Sequence, residues 1–122
     1  MKTILLIEDN NDHIKLMTTL LEFSNYKVFA TSDSEDGINF FKDKLPDLVI
    51  LDLQLPKKSG FEIAQSLKKI STPKKIPIIA VSAYSFQSDR EKAFESGCDA
   101  FYTKTINTRE FPGIIKSYLE TE

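Results

Sequence analysis

The chain has one cysteine and no tryptophan among its 122 residues. A lone thiol, Cys98, makes no internal disulfide, so the fold must rest on a packed core and the expected compartment is a reducing cytoplasm. Long apolar runs are also missing, and none approaches the ~18 residues of a membrane span. The opening stretch, Met1-Lys2-Thr3-Ile4-Leu5-Leu6-Ile7-Glu8, turns acidic too early for a secretory signal. Charge of one sign is scarce: 16 basic against 18 acidic residues leave a net charge of −2. That balance argues against a nucleic-acid binder, which would carry a basic excess or stripe. No repeat, linker or low-complexity tract divides the chain. The length suits one domain over residues 1–122 with no room for a second. A chain of this size buries roughly two thirds of its unfolded surface and needs no metal to fold.

What is present is an alternation. Ile4–Ile7, Asp47–Leu51 and Ile76–Val81 are short continuous apolar runs, as expected for strands covered on both faces of a parallel sheet. Tyr26–Thr31 is more polar and reads as a strand nearer an edge, and Ala100–Thr103 as the last strand. Between them lie helical patterns. Ile14, Met17, Leu20 and Leu21 follow the candidate caps Asn10 and Asn11. Ile38, Phe40 and Phe41 follow Asp33 and Ser34, and Phe61, Ile63, Ala64, Leu67 and Ile70 follow Ser59-Gly60. Phe86–Ser96 is stopped by Gly97, and Phe111, Ile114, Ile115, Tyr118 and Leu119 form the last helix, with Pro112 near its start. Spacing reads most of the nine phenylalanines as core.

Five β-α repeats predict an α/β, flavodoxin-like (βα)5 fold. Its five-stranded parallel sheet takes the order 2-1-3-4-5 with helices on both faces. In that topology ligands bind beyond the carboxyl ends of strands 1 and 3. Strand 1 runs into Glu8 and Asp9, and strand 3 into Asp52. Three carboxylates at one sheet edge repel one another unless a proton or a cation sits among them. Their oxygens select a hard ion, Mg²⁺ or alternatively Mn²⁺. Asp9 and Asp52 are the expected direct ligands, with Glu8 partly through water and the Gln54 backbone carbonyl completing the set. Read separately, Glu8 and Asp9 are equally well ordinary acids at a helix start. Strand 4 ends in Ser82-Ala83, and strand 5 leads to Lys104. Each is ordinary alone, but together a hydroxyl and an ammonium at the same edge form a phosphate cradle.

This set resembles the receiver domains of two-component response regulators over essentially the whole chain. The resemblance rests on Glu8-Asp9-Asn10, on Leu51-Asp52-Leu53-Gln54-Leu55-Pro56 with Ser59-Gly60, on Val81-Ser82-Ala83, and on the segment from Gly97 to Lys104. It is strongest toward single-domain receivers of the DivK type and the receivers of hybrid kinases. The family usually has proline after the lysine, joined by a cis bond; here the residue is Thr105. A cis bond before a non-proline residue costs roughly 2.5–4 kcal/mol, which leaves either a trans bond with a shifted loop or a cis bond.

The resemblance implies that Asp52 takes a phosphoryl group from the phosphohistidine of a sensor kinase or phosphotransfer protein, with Mg²⁺ required. It implies that Lys104, Ser82 and the Ala83 N–H hold the phosphoryl oxygens. Such a chain is not an enzyme beyond its own phosphorylation and dephosphorylation. The alternative the resemblance leaves is a phosphorelay intermediate, a phosphate sink or a non-enzymatic partner-binding receiver. Inward movement of Ser82 would open space for Phe101, a switch of packing alone. The readout surface would be helix 4, strand 5 and helix 5, with Phe86, Arg90, Phe94, Phe101 and Arg109 toward a protein effector. A monomer or weak dimer is expected. Gln54 and Tyr84 would flank the path of hydrolytic water, and the bulk of Tyr84 implies slow self-hydrolysis.

Rival readings weigh less. A flavin-phosphate binder would be repelled by Glu8-Asp9. A phosphatase-like hydrolase wants a second acid where Gln54 stands. His13, the lone histidine, reads as a solvated helix residue rather than a phosphotransfer site. Cys98 reads as a small loop or core residue, and Lys57-Lys58 and Lys74-Lys75 as solvated loop charges, the first pair beside the site and available to a partner.

Overall fold

A computed structural model describes residues 1–55, 58–83 and 86–120. Its elements alternate strictly: β1 (Thr3–Ile7), α1 (Asn11–Phe23), β2 (Lys27–Thr31), α2 (Ser34–Lys44), β3 (Leu48–Asp52), α3 (Gly60–Lys68), β4 (Ile78–Ser82), α4 (Gln87–Glu95), β5 (Ala100–Thr103) and α5 (Phe111–Leu119). The strands form one sheet in the order β2-β1-β3-β4-β5, every pair parallel. This is the expected flavodoxin-like topology. Strand β4 starts two residues later than the apolar run that announces it, because Pro77 has no N–H to give the ladder. Its carbonyl is still used, accepting from Val49 N at 2.9 Å.

Side chains alternate across the sheet into two cores. Leu5, Ile7, Val49, Leu51, Ile78, Ala80 and Phe101 face α2, α3 and α4. Ile4, Leu6, Leu48, Ile50, Ile79 and Val81 face α1 and α5, where Met17, Leu21, Phe111, Ile115 and Leu119 cover them. Carried past the strand ends, the same parity puts Glu8, Asp52 and Lys104 on the α1/α5 side, and Ser82 on the α4 side with Phe101.

Helix starts follow local chemistry. Asn10, Asp33 and Ser59 cap α1, α2 and α3 through side-chain oxygens that accept from the N–H groups of His13, Asp36 and Glu62. Loop ends are pinned in the same way. Asp47 accepts from Thr3 N and from Lys74, and Asp99 accepts from Ile78 N at 2.8 Å and lies 3.1 Å from Lys75 Nζ. Lys74 and Lys75 are therefore ion-paired rather than merely solvated. Lys57 lies outside the described residues.

The phenylalanines follow expectation in part. Phe41, Phe101 and Phe111 are buried, with Phe40 and Phe61 also packed against the core, but Phe23, Phe29, Phe86 and Phe94 are exposed. Helix α4 is the physical reason for two of them: it buries only Ala93 against the sheet, so Phe94 within it and Phe86 at its start stay outside. Cys98 is buried, as expected, and burial followed by the Asp99 charge pushes its thiol up to about 12, far from a reactive thiolate. Among the described residues no helix is long and apolar enough to cross a membrane.

Candidate functional site

Parallel strands all end on the same side, so the chain's strand-end residues meet there. Glu8 follows β1, and its N–H donates to Thr31 O at 3.0 Å, extending the β1–β2 ladder by one residue. Asp52 is the last residue of β3 and Ser82 the last of β4. Glu8, Asp52 and Ser82 are nearly inaccessible, at 1%, 2% and 0% exposure. Among the described residues, Glu8, Asp9 and Asp52 bring one carboxylate oxygen each within 4.8 Å of one another. The acidic constellation expected from sequence is assembled, with Asp9 on its exposed rim.

Among the described residues, Lys104 is the lysine or arginine that pairs with this constellation. Lys104 is positioned from β4, its N–H donating to Ser82 O at 2.7 Å. Its ammonium lies 3.2 Å from Glu8 Oε1 and 3.4 Å from Asp52 Oδ2. The peptide bond between Lys104 and Thr105 is cis, the second of the two arrangements the missing proline left open.

Two buried carboxylates against one ammonium cannot both carry full charge comfortably. Burial, and then the hydrogen bond and negative charge of Glu8, raise Asp52 to about 7 despite the Gln54 N–H and Lys104. Glu8 moves the other way. Burial would raise it, but hydrogen bonds from Asp52, His13 and the Asn10 amide, with the charge of Lys104, outweigh burial and hold it below the usual range. Of the two, Glu8 therefore gives up its proton more readily than Asp52.

Two side chains have roles that the sequence did not announce. His13 is not solvated: its Nδ1 lies 2.7 Å from Glu8 Oε1 with the side chain 14% exposed. An ionised carboxylate can only accept, so the imidazole donates. The cap at Asn10 gave a signal, since it turns the chain so that the first turn of α1 folds back over the end of β1. Gln54 is the second. Its backbone N–H donates to Asp52 Oδ1 at 2.9 Å, and its amide reaches across to Ser82 Oγ and to Ala83 N, both at 2.9 Å.

Ser82 and Phe101, the residues expected to form a switch, fall on one face of the sheet by strand parity. Phe101 is buried at 6% exposure on the α4 side, and Tyr102 packs with the opposite core. The Arg90 guanidinium lies 5.8 Å from the Phe101 ring centroid and 5.4 Å from that of Phe94, joining α4 to β5. Tyr84 lies outside the described residues.

The donor set fits a hard divalent cation. Three carboxylates crowd together, and the upward push of burial and Glu8 on Asp52 reflects negative charge that a cation would relieve. Comparison with known proteins agrees with the geometry. Residues 4–116 match the family model described as response regulator receiver domain. The chain is 36% identical over 118 residues, 97% of its length and 96% of the relative's, to the polar-differentiation response regulator DivK of Brucella anthropi. Among solved structures, a receiver domain protein from Methanospirillum hungatei superposes with a TM-score of 0.90 at 24% identity, covering 98% of this chain and 94% of that one. The receiver domain of a sensor histidine kinase from Pseudomonas aeruginosa, solved with a magnesium ion coordinated in its active-site cleft, gives 0.89 at 23% identity, covering 98% of each.

Proposed function

The chain belongs to the response regulator receiver domain family, and from that membership we propose that Asp52 accepts a phosphoryl group from a phosphohistidine on a partner kinase or phosphotransfer protein. The observation that supports it most is the convergence of Asp52, Glu8 and Lys104 at one sheet edge beside Ser82 and Ala83.

An Asp52 carboxylate oxygen forms a bond to phosphorus as the bond from phosphorus to the donor nitrogen breaks. The imidazole leaves with the electron pair and takes up a proton. Asp52 attacks as the anion, so its raised pKa makes uptake faster as pH rises through about 7. Phosphoryl transfer asks for positioning and charge more than covalent help. Lys104 supplies a charge already aimed at Asp52, and the Ser82 hydroxyl and Ala83 N–H supply neutral hydrogen bonds. Asp9, Asp52, Glu8 and the Gln54 carbonyl would hold Mg²⁺, which when bound adds positive charge beside the phosphoryl oxygens. Signalling then runs through Ser82 and Phe101 to the face of α4, β5 and α5, where Phe86, Phe94 and Arg90 offer exposed aromatic surface and charge to a protein effector.

Incubation with a small acyl phosphate and Mg²⁺, followed by intact mass, tests the reading. One phosphoryl mass is expected on the wild type and none when the metal is chelated. An equal gain on Asp52→Ala would place the phosphoryl group elsewhere and defeat it.

The hydrogen bond from His13 gives a second expectation. Groups that orient a metal ligand typically contribute 10- to 100-fold to metal affinity. His13→Ala should therefore weaken Mg²⁺ binding by about tenfold, with His13→Asn recovering part of it by offering an amide donor. Titration calorimetry reads this directly, and equal affinities for all three proteins would remove His13 from the site.

A further inference from the structure

The two groups expected to receive phosphoryl oxygens are already engaged. Gln54 Oε1 accepts the Ala83 N–H at 2.9 Å, and Gln54 Nε2 donates to Ser82 Oγ at 2.9 Å. One amide thus bridges both halves of the cradle. The same residue's backbone N–H holds Asp52 Oδ1 at 2.9 Å, so nucleophile and cover move on one short piece of chain.

We propose that the Gln54 side chain is a latch that occupies the phosphoryl seat of the unphosphorylated protein and has to be displaced before or as Asp52 is phosphorylated. The inference rests on Asp52 being the phosphoacceptor.

The chemistry is competition for a single proton. A backbone N–H has one hydrogen to donate, and Oε1 takes that of Ala83. A phosphoryl oxygen seated there must replace the amide oxygen. Serine differs, because its hydroxyl retains a hydrogen of its own while Oγ accepts from Nε2. What the amide contributes at Ser82 is therefore a constraint on orientation, and its release removes that constraint.

The reach matters as much as the polarity. Gln54 contacts two successive residues of the β4 end while its own backbone stays bonded to Asp52. Asparagine, one methylene shorter, cannot make both contacts from the same backbone position. An alanine makes neither.

The latch also couples the phosphorylation step to the switch. In the resting protein Nε2 holds Ser82 from the side of the site, on the face of the sheet that carries Phe101. Displacement of the amide is then part of what allows Ser82 to move, so Gln54 sets the resting position of the switch as well as access to the seat. Gln54 acts here as a positioning residue.

The test measures three proteins: wild type, Gln54→Ala and Gln54→Asn. The first measurement is the rate at which a small acyl phosphate with Mg²⁺ adds phosphoryl mass. The second is the affinity for beryllofluoride, which fills the seat without chemistry. The third is hydrogen exchange at the Ala83 amide without phosphate. Loss of two neutral hydrogen bonds should raise the rate and tighten beryllofluoride binding by about tenfold in Gln54→Ala. Gln54→Asn should fall between, and Ala83 exchange should quicken in both. Variants that are phosphorylated at the wild-type rate or slower, or an Ala83 amide that exchanges equally fast in the wild type, overturn the latch while leaving the phosphoacceptor reading intact. A wild type that gains no phosphoryl mass overturns that reading and the latch with it.

Discussion

Asp52→Asn is expected to abolish phosphoryl uptake while making the metal-free protein more stable at pH 8, by about 2 kcal/mol or ~8 °C in melting temperature. The loss of function follows from the nucleophile, since a neutral amide does not attack phosphorus as a carboxylate does. The gain in stability follows from the charges around it. Glu8 and Asp52 are buried side by side, and among the described residues Lys104 is the one lysine or arginine paired with them, which leaves an excess of carboxylate in a place that excludes water. Asparagine leaves Glu8 and Lys104 balanced.

The sign depends on pH. In the unfolded chain Asp52 ionises at its ordinary 3.8, whereas in the fold it does so near 7. Between those values the folded protein binds more protons than the unfolded chain, so stability falls as pH rises through the window and the loss is complete above it. One pKa unit is about 1.4 kcal/mol, so Asp52 titrating alone would account for about 4 kcal/mol. Glu8 moves in the opposite direction and offsets part of that. The advantage of Asp52→Asn should therefore be small at pH 4, grow through neutrality and level off by pH 8. Thermal melts in a chelator at pH 4 and pH 8 measure it. A variant that melts below the wild type at pH 8 would show that the carboxylates are not in conflict.

Parity explains how much of this was legible beforehand. Apolar runs at Ile4, Leu48 and Ile78 fix strands, β-α alternation fixes a parallel sheet, and a parallel sheet brings strand ends together. Glu8, Asp52, Ser82 and Lys104 were found because their place in the chain determines their place in space. Both β3 and β4 run one residue beyond the apolar stretch, through Asp52 and Ser82, because ladder hydrogen bonds belong to the backbone and do not depend on side-chain polarity. What stayed illegible depends on side-chain reach. His13 turns inward because Asn10 caps α1 and Glu8 accepts its proton. Gln54 stretches across to β4 because its backbone is fixed to Asp52. Phe86 and Phe94, named from sequence for a readout surface, do lie exposed, because the short polar helix α4 buries only Ala93 against its sheet.

Gly60→Ala is expected to destabilise the protein by about 3 kcal/mol and to slow phosphoryl uptake by about 100-fold. A methyl carbon on Gly60 would lie 2.5 Å from Leu53 Cα and 2.6 Å from Asp52 O. Both are backbone atoms, so no rotamer relieves the overlap. The close approach is built in, since the Gly60 N–H donates to Leu53 O at 3.2 Å and fastens the start of α3 to the end of β3. Any shift that admits the methyl group moves the segment carrying Asp52 and the Gln54 N–H that holds its Oδ1. A displacement of roughly 1 Å is enough to cost a reacting group about 100-fold. Gly113 provides the contrast. It lies in α5, exposed, and a methyl group there meets nothing within 4 Å. Gly113→Ala should stabilise by about 0.5–1 kcal/mol through the lower entropy of its unfolded chain and leave phosphoryl uptake unchanged. Denaturant melts and uptake rates on the two variants separate a packing constraint at the site from a general effect of adding a methyl group. Equal stability changes in the two would show that the loop after Asp52 yields without strain.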